Sequence, residues 1–319
     1  MRSLSPVLVA LAAAGMMPVC SANAQTIALF TKNNTNPFSQ AIRVGSNTAA
    51  ATLGVKVVHY VPTTPDNVDE QTKLVDDAIR NKPDAIIFDP VNNEKLVPAI
   101  EKINAADIPV TEVTDRSTGG KFVSRVLPDD YQIGLAVARR LIKEMDGKGT
   151  VVILEGIAGT SSNTDRLKGF NEAIKEAAGV KLLASKTGNY QRKPAQDVME
   201  GWIKTYPQID GVLAANDSMA AAVADTLEKR GRKALIVGVN GSKEAVELVK
   251  NGKMLATGEY NGFVLGCLST EVAARNLRKE QVPQEIVLKP AIYDKTNYAK
   301  YEQRVEMKKC PTLQEIAAE

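Results

Sequence analysis

Short apolar runs alternate with amphipathic stretches along most of this chain. The runs, such as "TIALF" and "AIIF", continue without polar interruption, which is typical of strands buried on both faces. Predicted strands cover residues 26–30, 55–60, 85–88, 110–113, 122–126, 151–154, 180–184, 212–214, 235–239 and 255–257. Helical patterns lie between most of them, for example at 37–53, 67–80, 95–105, 131–145, 166–178 and 218–229. The alternation predicts an α/β fold in which helices connect parallel strands.

The alternation runs once before about Val126 and again after Asp129. A single doubly wound sheet of about ten or more strands is the alternative, but open sheets of that size are unusual. We therefore predict two similar lobes, each with its own parallel sheet. Two lobes imply a cleft, and ligands of open α/β sheets bind at the carboxyl ends of the strands.

Composition limits the class of protein. The chain has 319 residues, of which 44% are hydrophobic and 24% charged, as in soluble globular proteins. Its net charge of +3 comes from 40 basic and 37 acidic residues that are mixed along the chain, so nucleic acid is not expected as a partner.

The single histidine, His59, lies in a predicted strand. A catalytic triad or a zinc site would depend on it alone, and we expect no metal site and no cofactor.

The first 24 residues have the pattern of a secretory signal peptide. Arg2 precedes an apolar core at residues 7–17, small residues follow, and cleavage is expected before Gln25. A membrane anchor is the rival interpretation, but the apolar core is shorter than the ~20 residues that span a bilayer. A lipoprotein processed at Cys20 is a second rival, although the small residues that such processing prefers are missing before it.

Two cysteines remain in the mature chain, Cys267 and Cys310. An oxidising compartment permits them to form a disulfide. Their separation along the sequence does not reveal their distance in space, so two unrelated thiols are an equal alternative.

Polar residues crowd the predicted carboxyl ends of the strands. Six junctions carry Asn, Asp or Arg: "TKNNTNPF", "DPVNN", "TDRS", "EGIAGTSSNTDR", "AANDS" and "VNGS". Helix capping explains many of the Asn and Asp residues, and Asn36 and Asp217 are good candidates for caps. Capping does not explain Arg116, Arg166 or Phe38.

The segment 156–170, "GIAGTSSNTDRLKGF", is a candidate phosphate-binding loop. A P-loop needs a lysine and a second glycine at fixed spacing, and the segment has neither; the pattern G-x-G-x-x-G is also absent. Arg, Asn and Asp suit a polyhydroxylated ligand instead. Their forked groups bond neighbouring hydroxyls, and a buried hydroxyl without a partner costs about 1–3 kcal/mol. Phe38 and Tyr190 are candidates to cover apolar faces of such a ligand, with core packing as the alternative.

Together these motifs resemble the periplasmic sugar-binding proteins of the ribose-binding type, which serve ATP-binding-cassette (ABC) importers. The resemblance rests on "TIALFTKNNTNPF", "VTDRSTGG", "GIAGTSSNTDRLKGF", "LAANDSMA" and "IVGVNGSKEAVELVKNGKMLAT", in order from Thr26 to about Pro290. It implies the type I periplasmic binding protein fold, with two Rossmann-like lobes of parallel sheets and a three-crossing hinge. The implied domains are a signal peptide at 1–24, an N-terminal lobe of 25–127 plus 260–289, and a C-terminal lobe with a tail, of 128–259 plus 290–319.

The resemblance also implies a set of ligand-binding residues: Asn36, Phe38, Asp115, Arg116, Arg166, Tyr190, Asn216, Asn240 and Tyr260. Arg166 is expected to form paired hydrogen bonds with ligand oxygens. Three positions depart from the ribose pattern: Asn240 stands where aspartate is usual, Tyr260 where a hinge glutamine is usual, and Ser39 where a second aromatic often stacks. These changes reshape the pocket and make ribose itself a doubtful ligand.

The function implied is capture of a pentose or short polyol by hinge closure, followed by delivery to the membrane permease subunits of an ABC importer. Asp115 against Arg116 and Arg166 leaves the expected site one unit positive, so a sugar acid is the alternative ligand. Weaker alternatives are a regulatory sugar-sensing domain and a secreted enzyme that uses Asp115 or Asp129-Asp130. We expect a periplasmic monomer without enzyme activity, and we consider a chemoreceptor as a further partner.

Overall fold

The computed structural model describes residues 24–301 and 309–317. Its strands are β1 (Thr26–Phe30), β2 (Lys56–Tyr60), β3 (Ala85–Phe88), β4 (Val110–Val113), β5 (Ser124–Pro128), β6 (Lys148–Glu155), β7 (Gly179–Thr187), β8 (Gly211–Ala214), β9 (Leu235–Val239), β10 (Ala256–Glu259), β11 (Glu285–Leu288) and β12 (Ala291–Asp294). Its α-helices are α1 (Pro37–Leu53), α2 (Val68–Arg80), α3 (Val97–Ala105), α4 (Asp130–Glu144), α5 (Ser161–Glu176), α6 (Arg192–Thr205), α7 (Asp217–Lys229), α8 (Lys243–Lys250), α9 (Gly262–Leu277) and α10 (Leu313–Ala317). The predicted signal peptide, apart from Ala24, lies outside the described residues.

The N-terminal lobe contains a six-stranded sheet in the order β11-β5-β4-β3-β1-β2, and all its strand pairs are parallel. Helices α1, α2, α3 and α9 belong to this lobe, with α9 packed on α1 and on the central strands. Strands β1 and β3 are almost completely buried. Helices on both faces of the sheet are the reason that these strands consist of uninterrupted apolar runs.

The C-terminal lobe contains a second six-stranded sheet, in the order β12-β10-β9-β8-β6-β7. Its strands are parallel except β12, which pairs antiparallel with β10. Helices α4 to α8 belong to this lobe. The chain crosses between the lobes after β5, after β10 and between β11 and β12. The predicted fold class, two lobes with parallel sheets joined by a three-crossing hinge, is confirmed.

Polar residues at the strand ends cap the helices that follow. The side-chain oxygen of Asn36 accepts a hydrogen bond from the Phe38 amide at the start of α1 (3.0 Å), and that of Asn216 accepts from the Met219 amide at the start of α7 (3.0 Å). These bonds satisfy amides that have no partner within the helix. The cap of α7 is Asn216 rather than the predicted Asp217, because the helix begins one residue earlier.

The C-terminal tail contacts both lobes. Strand β12 belongs to the second sheet, whereas Cys310 forms a disulfide with Cys267 of α9 in the N-terminal lobe. The two cysteines are therefore paired. The predicted assignment of residues 290–319 to the C-terminal lobe is wrong for the described end of the tail, 309–317, because the disulfide fixes this end to α9.

Within residues 24–301 and 309–317, no helix is long and apolar enough to cross a bilayer. The same residues contain no group of three or more His, Cys, Asp or Glu placed to hold a metal ion. His59 lies on β2, and its Nε2 is 2.9 Å from the Asn47 side-chain oxygen on α1. This contact connects a strand to the helix beside it and is structural.

Candidate functional site

A cavity lies between the lobes at the carboxyl ends of the strands. Its lining consists of Lys32, Asn33, Asn36, Phe38, Ser39, Asp66, Asp89, Thr114, Ser162, Arg166, Tyr190, Asn216 and Asn240. Six of the nine predicted ligand-binding residues are in this set. Among the described residues, the predicted Asp115, Arg116 and Tyr260 do not line the cavity.

Arg166 projects from α5 and is only 3% exposed. Its Nε donates to Asp130 Oδ1 (2.7 Å), and its Nη1 donates to the carbonyl oxygen of Ala215 (2.6 Å). Burial raises the pKa of Asp130 to about 6, although the guanidinium of Arg166 opposes that rise. Two N–H groups of Arg166 are thus engaged within the protein, so the residue supports the cavity wall as well as lining it.

Two aromatic rings lie beside this guanidinium. The Arg166 Cζ lies 5.7 Å from the ring centre of Tyr190 and 5.3 Å from that of Tyr260, distances suited to cation–π attraction. Tyr260 is buried and packs edge-on against Phe38 with ring centres 5.6 Å apart. Tyr260 therefore lies behind the cavity wall, where it packs against Phe38 and Arg166, two residues that line the cavity.

The ring of Tyr190 packs against Gly156, at the start of the segment considered as a phosphate loop. A side-chain carbon at position 156 would lie 2.0 Å from Cζ of Tyr190, so only glycine leaves room for this ring. The Tyr190 hydroxyl lies 3.2 Å from Ser162 Oγ. The glycine after β6 thus makes space for an aromatic wall of the cavity.

Asp115 joins the two lobes across the cleft. Its Oδ1 accepts from Ser161 Oγ (2.9 Å) and from the Ser162 amide (2.7 Å), and its Oδ2 accepts from Ser162 Oγ (3.2 Å). Burial acts to raise the pKa of Asp115, but Lys32 and these donors outweigh it and hold the pKa below its ordinary value. The positive N-terminus of α5, which could hold a phosphate, holds the carboxylate of the other lobe instead.

Arg116 points away from the cavity. Its Nη1 donates to Glu285 of β11 (2.7 Å), and about half of its side chain (48%) is exposed. Neighbouring residues of an extended chain point to opposite sides, so Arg116 faces outward where Asp115 faces the cleft. Arg116, predicted to be a ligand-binding residue, therefore does not line the cavity.

Three charged residues of the cavity were not predicted: Lys32, Asp66 and Asp89. The Lys32 ammonium bonds Asp115 and lies 3.5 Å from Asp89 Oδ1. Burial opposes the charge on Lys32, but Asp115 and Asp89 more than offset this and raise its pKa above the ordinary value. A signal was present, since Lys32 and Asp89 fall within "TKNNTNPF" and "DPVNN" at the strand ends.

Three buried side-chain oxygens of the cavity lining have no hydrogen-bond partner among the described residues: Asp66 Oδ2, Thr114 Oγ1 and Asp89 Oδ1, the last of which lies 3.5 Å from the Lys32 ammonium. Thr114 also has a φ of 73°, a left-handed conformation that is unfavourable for a β-branched residue. Backbone strain of this kind concentrates at functional sites. Because a buried polar group without a hydrogen bond costs about 1–3 kcal/mol, all three oxygens are candidates to bond a ligand.

Replacing Asp89 with asparagine should change how stability depends on pH. Burial raises the pKa of Asp89 from 3.8 to about 8, with Lys32 opposing the rise. The folded protein keeps this proton up to about pH 8 and the unfolded chain loses it at about pH 4, so stability falls as pH rises between these values. Asp130 and Asp217, whose pKa values are raised to about 6, act in the same direction at lower pH. The melting temperature of Asp89→Asn should therefore exceed that of the parent by a margin that grows between about pH 6 and pH 8.

The matched control for this experiment is Asp107→Asn, at an exposed position after α3. Thermal unfolding of this variant should follow the parent in parallel across the same pH range. A constant difference between Asp89→Asn and the parent from about pH 6 to pH 8 would contradict the assignment of the buried proton to Asp89.

The carboxylates considered for acid–base catalysis are engaged in structural roles. Asp130 pairs with Arg166, and Asp115 bonds Lys32 and two serines. Asp129 Oδ1 accepts from the Gln132 amide (3.0 Å) and caps α4. Each of these carboxylates is therefore held by protein partners.

Comparison with known proteins gives sequence relatives over most of the chain. A xylitol-binding protein of Mycolicibacterium smegmatis is 32% identical over 229 residues, which are 71% of this chain and 66% of that protein. A ribose import binding protein of Bacillus subtilis is 28% identical over 262 residues, which are 82% of this chain and 84% of that protein.

A solved structure extends the comparison to the fold. The periplasmic solute-binding protein of an ABC transporter from Actinobacillus succinogenes, with bound D-allose, superimposes with a TM-score of 0.82 and 29% identity. The match covers 87% of this chain and all of that one. The resemblance to periplasmic sugar-binding proteins of the ribose-binding type is thus confirmed.

The family of periplasmic binding protein domains matches residues 27–281. Its members are substrate-binding proteins rather than enzymes, and the family implies a periplasmic location. The match includes both lobes and two of the three hinge crossings. From this match and the relatives above, the chain belongs to the periplasmic binding protein family.

Proposed function

We propose that this protein captures a small neutral carbohydrate, a pentose or a short polyol, by closure of its lobes and delivers it to an ABC importer. The observation that carries the proposal is the cavity between the lobes, whose lining contains three buried oxygens without a hydrogen-bond partner among the described residues. A polyhydroxylated ligand supplies donors and acceptors at once and suits these oxygens.

Aromatic and amide side chains in the cavity lining both favour a sugar as the ligand. Phe38 and Tyr190 present aromatic surface on opposite lobes, which suits the apolar C–H faces of a carbohydrate. Asn36, Asn216 and Asn240 add amide groups, which both donate and accept. One ligand can therefore contact both lobes and favour their closure.

The charge of the cavity favours a neutral ligand over a sugar acid. The charge count that favoured a sugar acid as the ligand included Arg116, but Arg116 pairs with Glu285 instead. Lys32 is already paired with Asp115, and the lining includes Asp66 and Asp89. Both cations of the described lining are paired with protein carboxyl groups, Lys32 with Asp115 and Arg166 with Asp130, so we propose a neutral ligand in preference to the alternative, a sugar acid.

The names of related proteins support a ligand of the size of a pentose or short polyol. Their names include binding proteins for xylitol, ribose, D-apiose and D-allose, which are pentoses, a pentitol and a hexose. The cavity in this chain carries Ser39 where ribose-type proteins often have a second stacking ring. A narrower aromatic surface favours a short or open-chain ligand, since less apolar area has to be covered.

The proposal includes the permease subunits of the importer as the receiving partner and a chemoreceptor as a second membrane partner. It also takes the monomer as the working form and places signal-peptide cleavage before Gln25. Mass spectrometry of protein recovered from the periplasm tests the cleavage site. Native mass spectrometry of the same sample tests the oligomeric state.

Isothermal titration calorimetry of the dialysed protein tests the ligand class. The panel is xylitol, D-ribose, D-apiose, D-allose and, as the anionic control, D-ribonate. At least one neutral compound should bind with micromolar affinity, about −8 kcal/mol, and D-ribonate should bind at least about tenfold more weakly. A folded protein that binds none of the neutral compounds would refute the proposed class, and tighter binding of D-ribonate would refute the charge argument.

A further inference from the structure

The tail begins on the C-terminal lobe. Strand β12 pairs with β10, and Asp294 at its end lies 3.2 Å from Arg140 Nε on α4. A short 3₁₀ turn follows at Tyr298–Tyr301, where the ring of Tyr301 stacks on the buried Tyr293. These contacts hold the first part of the tail to the second sheet and to α4.

The end of the tail is fixed to the N-terminal lobe. The disulfide binds Cys310 to Cys267 of α9, and the Leu313 amide donates to Glu271 on the same helix (3.0 Å). The Leu313 side chain is buried in the main hydrophobic core. The tail therefore provides a covalent connection between the lobes in addition to the three hinge crossings.

Helix α10 places Ile316 at the hinge. Ile316 lines a second cavity whose walls come from Glu259, Tyr260, Asn261, Val264, Val287, Leu288, Lys289 and Ala291. These residues include the second and third crossings between the lobes. Hinge segments absorb the change in φ and ψ when lobes open, so their packing against a fixed neighbour has to change as well.

We propose that the disulfide-anchored tail is a hinge strap that favours the closed conformation through Ile316. The bond between Cys310 and Cys267 keeps α10 beside the hinge at high effective concentration. Ile316 packs against the hydrophobic cluster that contains Tyr260 and Leu288, one residue from each crossing, while the lobes are in contact across Asp115 and Ser162. Opening rearranges these crossings and loses that packing, so the strap shifts the equilibrium toward closure before any ligand is bound.

Small-angle X-ray scattering of the ligand-free, oxidised protein tests the strap. Two variants weaken it in different ways: Ile316→Ala keeps the disulfide and removes the hinge contact, and Cys310→Ser removes the tether. The control is Gln314→Ala, an exposed position on the same helix. The ratio of closed to open molecules, fitted from the scattering curves, should fall by about fivefold in both test variants and stay unchanged in the control.

Thermal unfolding of each variant establishes that the lobes are folded, and Ile316→Ala decides the test if Cys310→Ser does not fold. Equal scattering from the parent and a folded Ile316→Ala variant would overturn the proposal. Equal opening by Gln314→Ala would also overturn it, because the effect would not depend on the hinge contact. The measurement uses no ligand, so its failure is separate from a failure of the proposed sugar specificity.

Discussion

Replacing Arg166 with alanine should lower the free energy of unfolding by about 3–5 kcal/mol, because it leaves the buried Asp130 carboxylate without its cation. The Ala215 carbonyl oxygen loses its donor at the same time. The rings of Tyr190 and Tyr260 also lose the group packed between them, so carbohydrate affinity should fall by more than about tenfold. Urea denaturation measures the first effect, and calorimetry with the best ligand of the panel measures the second.

Two variants separate stability from binding. Adding Asp130→Asn to Arg166→Ala removes the stranded charge, so it should restore much of the lost stability without restoring affinity. Arg139→Ala removes an exposed arginine that pairs with Glu176 on the surface, and both properties should stay close to those of the parent. Unchanged affinity in Arg166→Ala would mean that the ligand lies elsewhere, and unchanged stability would contradict the importance of the buried pair.

The fold was predictable because its central strands are buried on both faces. Each predicted strand overlaps an observed one, and the closest agreement is at fully apolar runs such as β3. Two strands at sheet edges were not predicted, β12 and β11, and in β11 Val287 is 46% exposed. The parallel pairing of β11 with β5 joins segments that are far apart in the sequence, and no local pattern reports such a pairing.

The cavity was partly predictable because helix caps and cleft residues occupy the same strand ends. Asn36 and Asn216 cap helices and also line the cavity, so the interpretation of each as a cap is compatible with its predicted role in ligand binding. The position of the Arg116 side chain was not predictable, because it is set by an ion pair with Glu285, a residue on β11 that is distant in the sequence. Lys32 was overlooked because lysine is almost never buried without a partner, and its partners lie on other strand ends.

Replacing Lys32 with methionine should destabilise the protein by about 3–5 kcal/mol, because a buried cation between two carboxyl groups is lost. Lys32 is 8% exposed, bonds Asp115 and lies 3.5 Å from Asp89. Asp115 is also the acceptor for Ser161 and Ser162 of the other lobe. Without the ammonium, its carboxylate is costlier to bury, so lobe closure and carbohydrate affinity should weaken together. Urea denaturation and calorimetry measure the two losses.

The double variant Lys32→Met with Asp115→Asn tests whether charge is the cause. It removes the cation and one anion together, so it should recover part of the stability lost in Lys32→Met. Affinity should stay low in the double variant, because an asparagine is a weaker acceptor for the α5 amide and serines than a carboxylate. The control is Lys73→Met, an exposed lysine on α2 whose replacement should leave both properties nearly unchanged. A Lys32→Met protein as stable as the parent would show that Asp115 and Asp89 do not need this cation, and the charge argument for a neutral ligand would then lose its basis.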